Sequence, residues 1–247
     1  MAVAKQPGEN FPMMPHPGAI SGVPTGLEYL TQVDQLICKQ IVELFEVLTG
    51  WECKNKYRIM NSLNQQVFYA FEESGTCHRL FCGSDRGFTI HITDNFQQEV
   101  LRIERPFLCC RGCCWCAEGC CKYPVYIKDR EGNQLGTVGM MNSCCKPHFG
   151  VYDNDENLIY EMWGPLCPCQ CVCGCTGDVK FPVTNVKDNT TVGNISKIWD
   201  GAFKDCCTKA DTFGITFPMN MDVKHKALLI GAVFVIDFMI FETEDDN

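Results

Sequence analysis

Hydrophobic and polar positions recur in a fixed order through the middle of the chain. In each unit an apolar residue is followed two positions later by Asn or Asp, and a second apolar residue stands eight positions after the first. This order is typical of a β-hairpin, because Asn and Asp tolerate the backbone that a tight turn requires between two strands. The four units are Ile59-Asn61-Val67, Ile92-Asp94-Val100, Ile127-Asp129-Leu135 and Val151-Asp153-Ile159.

Four hairpins in series predict an antiparallel meander, and a meander of this size closes into a barrel or folds into a sandwich. The chain also spreads 12 Pro and 21 Gly along its 247 residues, which favours many short elements joined by turns. We therefore predict a mainly β fold with one or two helices.

The N-terminal region is less regular. Residues 1–26 hold five of the twelve prolines and little apolar periodicity, so we interpret them as a flexible tail. Proline-rich tails often dock small protein domains, which makes protein partners through this tail an expectation. Between Leu27 and Leu48 the apolar residues recur at helical spacing, yet QLICKQIVELF also fits a pair of strands, and periodicity leaves both interpretations open.

The longest apolar stretch is the C-terminal run 227–241, ALLIGAVFVIDFMIF. As a helix it would be about 22 Å long, short of the roughly 30 Å thickness of the hydrocarbon layer. It also contains Asp237, whose carboxylate is costly inside a bilayer. A helix buried in the protein core therefore competes with a membrane span.

The charges that flank this run favour the span. Lys224, His225 and Lys226 come before it, and an acidic tail follows it, which predicts a cytoplasmic side before the helix and a short exoplasmic tail. The protein would then be a single-pass membrane protein of type II. The residues that we assign to the membrane helix are Lys226, Gly231, Asp237 and Phe241.

Composition narrows the class of protein. The formal net charge is −9, and no basic stripe is evident, so nucleic-acid binding is not expected. The N-terminus lacks the features of a secretory signal, and we therefore expect the 20 cysteines to be reduced thiols rather than disulfides. The histidines are scattered, without a nucleophile-base or paired-carboxylate pattern, so the protein is predicted not to be an enzyme.

Seven cysteines crowd into LCCRGCCWCAEGCC, without a His. A structural zinc site uses about four ligands, in pairs that are spaced apart. Acylation needs only exposed thiols near a bilayer with aromatic and basic neighbours, and several chains anchor a protein that one chain holds only marginally. Acylation is the favoured interpretation, while metal binding and plain or redox-active thiols stay open. These cysteines are Cys109, Cys110, Cys113, Cys114, Cys116, Cys120 and Cys121.

A second group of cysteines alternates along LCPCQCVCGC, residues 166–175. One face of a β-strand explains that alternation as well as acylation does. Adjacent pairs also stand at Cys144-Cys145 and at Cys206-Cys207.

Three long segments stand between about Pro24 and Glu242: PTGLEYLTQVDQLICKQIVELFEVLTGWECKNKY, DNFQQEVLRIERPFLCC and VGNISKIWDGAFKDCCTKADTFGITFPMNMDVKHKALLIGAVFVIDFMIFE. In content and order, these segments resemble the phospholipid scramblase family. The resemblance implies a tubby-like fold in residues 27–247, a closed barrel of about twelve antiparallel strands around the C-terminal helix. It also implies palmitoylation of the first cysteine cluster, at the cytoplasmic face of the plasma membrane.

The same resemblance implies that the protein moves phospholipids between leaflets in both directions without ATP, with calcium bound just before the helix. The calcium segment corresponds to 209–220, where Lys209 and Asn220 occupy the first and last ligand positions. Asp211 is the one carboxylate inside this segment, and Asp222 lies just beyond it. Because calcium loops place acidic oxygens at these ends, we expect weak or absent calcium binding by Asp211, Asn220 and Asp222.

Residues 193–202 correspond to a segment that the family uses for nuclear import, and they keep only one basic residue, Lys197. Import by that route is therefore not expected.

Two functions follow from these expectations. A scramblase must offer a polar path for lipid headgroups, and one short helix has no groove, so self-association, bilayer thinning or Asp237 lining a shared aqueous seam would be needed. The alternative is a palmitoylated adaptor that works at the membrane with little or no scrambling activity.

Overall fold

The computed structural model describes residues 11–41, 55–73, 87–107, 124–166, 177–198 and 211–241. Within them, twelve strands form a closed antiparallel barrel in which each strand pairs with the next along the chain and β1 pairs with β12. The predicted barrel of about twelve strands is thus confirmed, while its tubby-like character stays a prediction. The strands are β1 Gln35–Gln40, β2 Lys56–Asn61, β3 Gln66–Glu73, β4 Phe88–Thr93, β5 Glu99–Arg105, β6 Val125–Asp129, β7 Gln134–Met140, β8 His148–Asp153, β9 Leu158–Trp163, β10 Val179–Asn185, β11 Thr190–Lys197 and β12 Thr212–Thr216.

The four predicted hairpins are β2–β3, β4–β5, β6–β7 and β8–β9, and their turns share one construction. In the second of them, Asp94 Oδ1 accepts hydrogen bonds from the backbone N–H groups of Phe96 (2.8 Å) and Gln98 (2.9 Å). The turn then closes through Gln97, which has a positive φ of 61° and donates its N–H to the Asp94 carbonyl oxygen. The side chain of the first turn residue therefore satisfies backbone donors that the strands leave unpaired.

A fifth hairpin, β10–β11, lies outside the predicted repeat. Its turn is one residue longer, since Asn189 rather than the residue before it donates its N–H to the carbonyl oxygen of Asn185. The residue eight positions after Val183 is consequently Thr191 rather than an apolar residue.

The ambiguous N-terminal stretch contains a short 3-10 helix, Glu28–Gln32, followed by β1. In β1 the side chains of Leu36 and Cys38 point to the barrel interior and are buried, while their neighbours along the strand are partly or fully exposed. This alternation is the period of a strand. The remainder of the stretch, 42–48, lies outside the described residues.

Helix α1, Val223–Ile236, fills the interior of the barrel and continues into a π-helical turn, Asp237–Phe241. Residues 226–236 are all buried. Aromatic contacts with the strands follow the helix, with Phe234 5.0 Å from the Tyr57 ring centroid and Phe238 stacked on Phe88 at 4.1 Å. A helix that is apolar on every side needs a complete apolar surround, and here the barrel provides it.

Of the two predicted interpretations of the run 227–241, the structure adopts the core helix. Among the described residues, no helix has both the length and the apolar character that a membrane crossing requires.

The described part of the proline-rich tail lies against the barrel. Met14 is buried, and its N–H donates to the carbonyl oxygen of Gln66 at 2.9 Å. The Asn95 side chain donates to the Met14 carbonyl oxygen at 3.3 Å, and the Arg58 guanidinium lies 3.6 Å from the Phe11 ring centroid. The predicted boundary at residue 26 and the division into tail and barrel domain stay predictions.

Candidate functional site

The two ends of the barrel differ in composition. At one end, which we call the turn end, the five hairpin turns join the strands and the segment 217–222 joins β12 to α1. At the opposite end the strands are joined by 41–55, 74–87, 106–124, 141–147, 164–178 and 198–211, as the pairing of their flanking residues requires. Every cysteine except Cys38 falls in one of these six connections, and we call this end the cysteine end.

Residues Cys109 to Cys121, the predicted acylation cluster, lie outside the described residues. The described residues on either side of them end β5 and begin β6, where Glu104 pairs with Tyr126. Both flanks therefore leave the barrel at the cysteine end. The alternating cluster within 166–175 and the pair Cys206-Cys207 also lie outside the described residues, apart from Leu166.

Cys144 and Cys145 are the described cysteines of this end, and both are exposed. Their short connection is held by hydrogen bonds from the Ser143 hydroxyl to the Lys146 carbonyl oxygen and from the Met141 N–H to the His148 carbonyl oxygen. A hydrogen bond with Cys144 and the proximity of its sulfur raise the pKa of the Cys145 thiol.

Large apolar side chains are exposed beside these connections. Phe107 directly precedes the segment that holds the first cysteine cluster, and Leu166 directly precedes the alternating cluster. Trp163 is also exposed and stacks at 3.6 Å on the buried ring of His148. Trp is one of the residues enriched where proteins meet the membrane–water interface.

Lys226 was predicted to flank a membrane helix, and the structure buries it completely at the turn end. Its ammonium group donates to three backbone carbonyl oxygens, those of Leu30 (2.9 Å), Val33 (2.8 Å) and Met219 (2.9 Å). Leu30 lies in the 3-10 helix, Val33 directly follows that helix, and Met219 lies in the segment before α1. Burial lowers the pKa of Lys226, and nearby Asp34 partly opposes that shift.

Asp237 is buried near the other end of the barrel interior, where its Oδ2 accepts a hydrogen bond of 2.7 Å from the Tyr57 hydroxyl. Burial, together with the nearby Asp237 carboxylate, holds the pKa of the Cys38 thiol well above its usual range. Cys38 is therefore an unreactive thiol of the core. The sequence offered no signal that Tyr57 and Cys38 would meet Asp237, because they are distant in the chain.

The other two predicted helix residues also lie in the interior. A Cβ atom on Gly231 would stand 2.6 Å from Cγ1 of Ile127, so this glycine allows the helix to approach β6. Phe241 is buried, and its ring centroid lies 5.8 Å from that of Phe213. The Lys197 ammonium lies 4.0 Å from the Phe241 ring centroid.

The predicted calcium residues are not brought together. Asp211 precedes β12 and forms an ion pair of 2.8 Å with Lys197. Asp222 follows β12 and caps α1 by accepting a 2.7 Å hydrogen bond from the Lys224 N–H. The five residues of β12 separate the two by about 17 Å, and Asn220 is exposed on the Asp222 side. Over the described ranges no cluster of three or more His, Cys, Asp or Glu side chains is arranged to hold a metal ion.

A charged network on the outer face of β3–β5 also escaped sequence reasoning. His91 Nε2 lies 2.8 Å from a Glu73 oxygen, and its Nδ1 lies 3.0 Å from a Glu99 oxygen. Glu99 also accepts a 2.7 Å hydrogen bond from Arg102. Burial raises the pKa of Glu99, but the hydrogen bonds from Arg102 and His91 outweigh it and leave that pKa below its ordinary value.

Fold and site together define a class of protein: a closed antiparallel barrel built around a hydrophobic C-terminal helix, in which the strand ends that flank the cysteine-bearing segments all lie at one end. The family model described as Scramblase matches residues 14–243, so the chain belongs to the scramblase family.

Curated relatives agree with this assignment. Human phospholipid scramblase 1 is 43% identical over 232 residues, which cover 94% of this chain and 70% of the relative. Phospholipid scramblase 2 from Bos taurus is 42% identical, covering 94% of this chain and 76% of the relative. Human phospholipid scramblase family member 5 is 42% identical, covering 89% of this chain and 78% of the relative. A solved structure of a protein from Arabidopsis thaliana is 12% identical, covers 87% of this chain and 99% of its own, and has a TM-score of 0.44.

Proposed function

We propose that this protein is a scramblase-like membrane protein that moves phospholipids between leaflets in both directions without ATP. The observation that carries the proposal is family membership over 14–243, together with relatives above 40% identity that are named phospholipid scramblases. The proposed activity is translocation of lipid, without covalent catalysis.

The proposed attachment to the membrane is the cysteine end. Palmitate on Cys109 to Cys121 at the cytoplasmic face of the plasma membrane would bring this end to the bilayer, since both flanks of that segment leave the barrel there. Exposed Phe107, Trp163 and Leu166 on the same end support this orientation. Several acyl chains would give the stable anchoring that one chain does not.

A second function, a palmitoylated adaptor with little or no scrambling activity, is supported by the enclosure of α1. Both ionisable groups of the helix core are engaged inside the barrel, Lys226 by three carbonyl oxygens and Asp237 by Tyr57. In this arrangement the helix presents no polar path to lipid headgroups. Moving it into a bilayer would also uncover the barrel lining, at a cost of about 1.5–3 kcal/mol for each large apolar side chain exposed.

For calcium, we propose that Asp211, Asn220 and Asp222 bind the ion weakly or not at all. Asp211 is already paired with Lys197, and Asp222 already caps α1. A calcium titration of Asp211→Asn against wild type, followed by calorimetry, tests this directly, because equal heats are expected from the two proteins.

Reconstitution separates the two functions. Purified protein is placed in vesicles that contain a fluorescent phospholipid, and the fraction of label that an external reductant bleaches reports exchange between leaflets. Exchange above that of protein-free vesicles supports scrambling, and its loss in Asp237→Leu but not in the neighbouring Met239→Leu would assign it to the helix. A melting curve of each variant confirms that it is folded.

The adaptor function predicts no exchange above protein-free vesicles, with membrane recovery from cells that falls when the seven cysteines from Cys109 to Cys121 are changed to Ala. Changing the exposed pair Cys144 and Cys145 to Ala is the matched control. Strong exchange by wild-type protein would exclude the adaptor function as stated.

A further inference from the structure

The related hairpin turns expose the same position at their tips, two residues after the Asn or Asp that begins each turn. These tips are Leu63, Phe96, Glu131 and Asp155, and all four are exposed. Because consecutive hairpins are neighbours in the barrel, the apolar tips lie side by side and the acidic tips follow them. These four turns therefore divide into an apolar half and an acidic half, and the fifth turn, with exposed Val186 and Lys187, follows the acidic half.

In the apolar half, Leu63 is 73% exposed, Phe96 64% and Met13 of the N-terminal segment 53%. Met13 pairs with Gln66 at the start of β3, and the Gln66 side chain lies 3.2 Å from Asn95 of the next turn. These contacts fix the three apolar side chains to one region of the surface. Large apolar side chains are not needed for turn geometry, which Gly, Asn and Asp provide. Exposed apolar side chains that lie together are typical of interaction sites.

In the acidic half, a cleft of about 680 Å³ is lined by carboxylates from two turns and from the start of α1. Lys224 and His225 are the basic residues among its lining. Arg130 lies between the two halves, but its guanidinium donates to the Gln98 side chain at 2.8 Å. The acidic lining residues are Asp129, Glu131, Asp153, Asp155 and Asp222.

We propose that the turn end is a docking surface for a basic amphipathic segment of a protein partner. Apolar side chains of that segment would contact Leu63, Phe96 and Met13, and its Lys or Arg residues would lie over the acidic cleft. Charge complementarity selects this partner, because attraction between opposite charges steers and orients association. An anionic leaflet would be repelled by the same carboxylates.

This surface goes beyond lipid movement and is opposite to the cysteine end. With the cysteine end at the bilayer, the turn end faces the aqueous phase, where a protein segment can reach it. Binding to it therefore does not depend on whether the protein scrambles lipids.

The test uses the full chain and a fluorescent probe peptide of about 14 residues, made of Leu and Lys with Leu at helical spacing. Fluorescence anisotropy is expected to show saturable binding in the micromolar range, and a peptide of equal composition without that spacing is expected to bind at least about tenfold more weakly. The double variant Leu63→Ser/Phe96→Ser is expected to lose at least about tenfold in affinity. The variant Glu131→Gln/Asp155→Asn is expected to lower the affinity and to make the affinity depend less on salt concentration.

The matched control is Leu166→Ser, which removes a leucine of similar exposure (67%) at the cysteine end and should leave the affinity unchanged. Equal affinities for wild type and both turn-end variants would overturn the proposal. Binding of vesicles containing phosphatidylserine that disappears in Leu63→Ser/Phe96→Ser would overturn it in favour of a membrane contact. Dissociation of a dimer by the same substitutions, seen by sedimentation, would overturn it in favour of a second copy of this chain.

Discussion

Replacing Lys226 with Met tests the buried ammonium that joins α1 to the turn end of the barrel. Methionine has a similar length but no donor, so the carbonyl oxygens of Leu30, Val33 and Met219 lose the hydrogen bonds that they accept at 2.8–2.9 Å. An unsatisfied buried acceptor costs about 1–3 kcal/mol. Three of them would cost about 3–9 kcal/mol, offset by several kcal/mol because the burial of one charge is relieved.

The expected net result is a loss of about 3 kcal/mol in the free energy of unfolding. For a domain of this size, that corresponds to a decrease of about 6–12 °C in melting temperature. Thermal unfolding followed by circular dichroism measures it. Lys224→Met is the matched control, because Lys224 is exposed two residues earlier, and it is expected to change the melting temperature by about 1 °C or less.

The effect of Lys226→Met on stability should depend on pH, whereas a simple loss of packing should not. Burial lowers the pKa of Lys226 below its ordinary value of 10.5, so between the two values the unfolded chain binds more protons than the folded protein. Stability contributed by this residue therefore rises with pH toward 10.5. The stability difference between wild type and Lys226→Met should increase over that window. A Lys226→Met protein as stable as wild type at neutral pH would refute the reasoning.

Three further substitutions test other parts of the structure. Tyr57→Phe removes the hydrogen bond to Asp237 and should lower the free energy of unfolding in urea by about 1–3 kcal/mol; an unchanged urea midpoint would contradict the pairing. Gly231→Ala places a methyl group 2.6 Å from Ile127 and should destabilise by about 1–3 kcal/mol through overpacking, whereas stabilisation would indicate that the helix is free of β6. Glu99 has a pKa below its ordinary value of 4.5, so its stabilising contribution is present above pH 4.5 and is lost as the pH falls through the lowered value; melting temperatures between pH 5 and pH 3 should therefore fall less steeply for Glu99→Gln, and parallel slopes would argue against it.

The hairpins could be predicted from the sequence because their turns are local. At Asp94, for example, one side chain and its next four residues form the whole turn. The fifth hairpin, β10–β11, was not predicted because one additional residue after Asn185 displaces the apolar position that the repeat requires. A hairpin can therefore be predicted from its local sequence pattern when the turn has the usual length, and a one-residue insertion is enough to hide that pattern.

The location of the C-terminal helix could not be predicted in the same way. The fifteen-residue run 227–241, apolar except for Asp237, fits a core helix and is nearly long enough for a membrane span. Which of the two forms depends on whether twelve strands, distant in the chain, close around it. The same non-local cause explains the site residues. Lys226 resembled a membrane-flanking charge, but its acceptors include Leu30 and Val33, nearly two hundred residues away. The expectation of weak or absent calcium binding came from Lys209 and Asn220, and the sequence could not show that Asp211 and Asp222 lie on opposite sides of β12.

Enclosure of α1 by the barrel is the central structural claim, and a disulfide between α1 and β6 tests it most directly. A Cβ atom on Gly231 would lie 4.0 Å from the Ile127 Cβ, within the range of about 3.5–4.5 Å that disulfides require. The double variant Gly231→Cys/Ile127→Cys is made in a protein that keeps Cys109 to Cys121 for membrane attachment and has its other native cysteines changed to Ser. It is bound to membranes and oxidised, and the cross-linked peptides are identified by mass spectrometry. The expected result is a cross-link between the two peptides in the membrane-bound protein. Two reduced thiols at these positions in a folded, membrane-bound protein would contradict the enclosed helix.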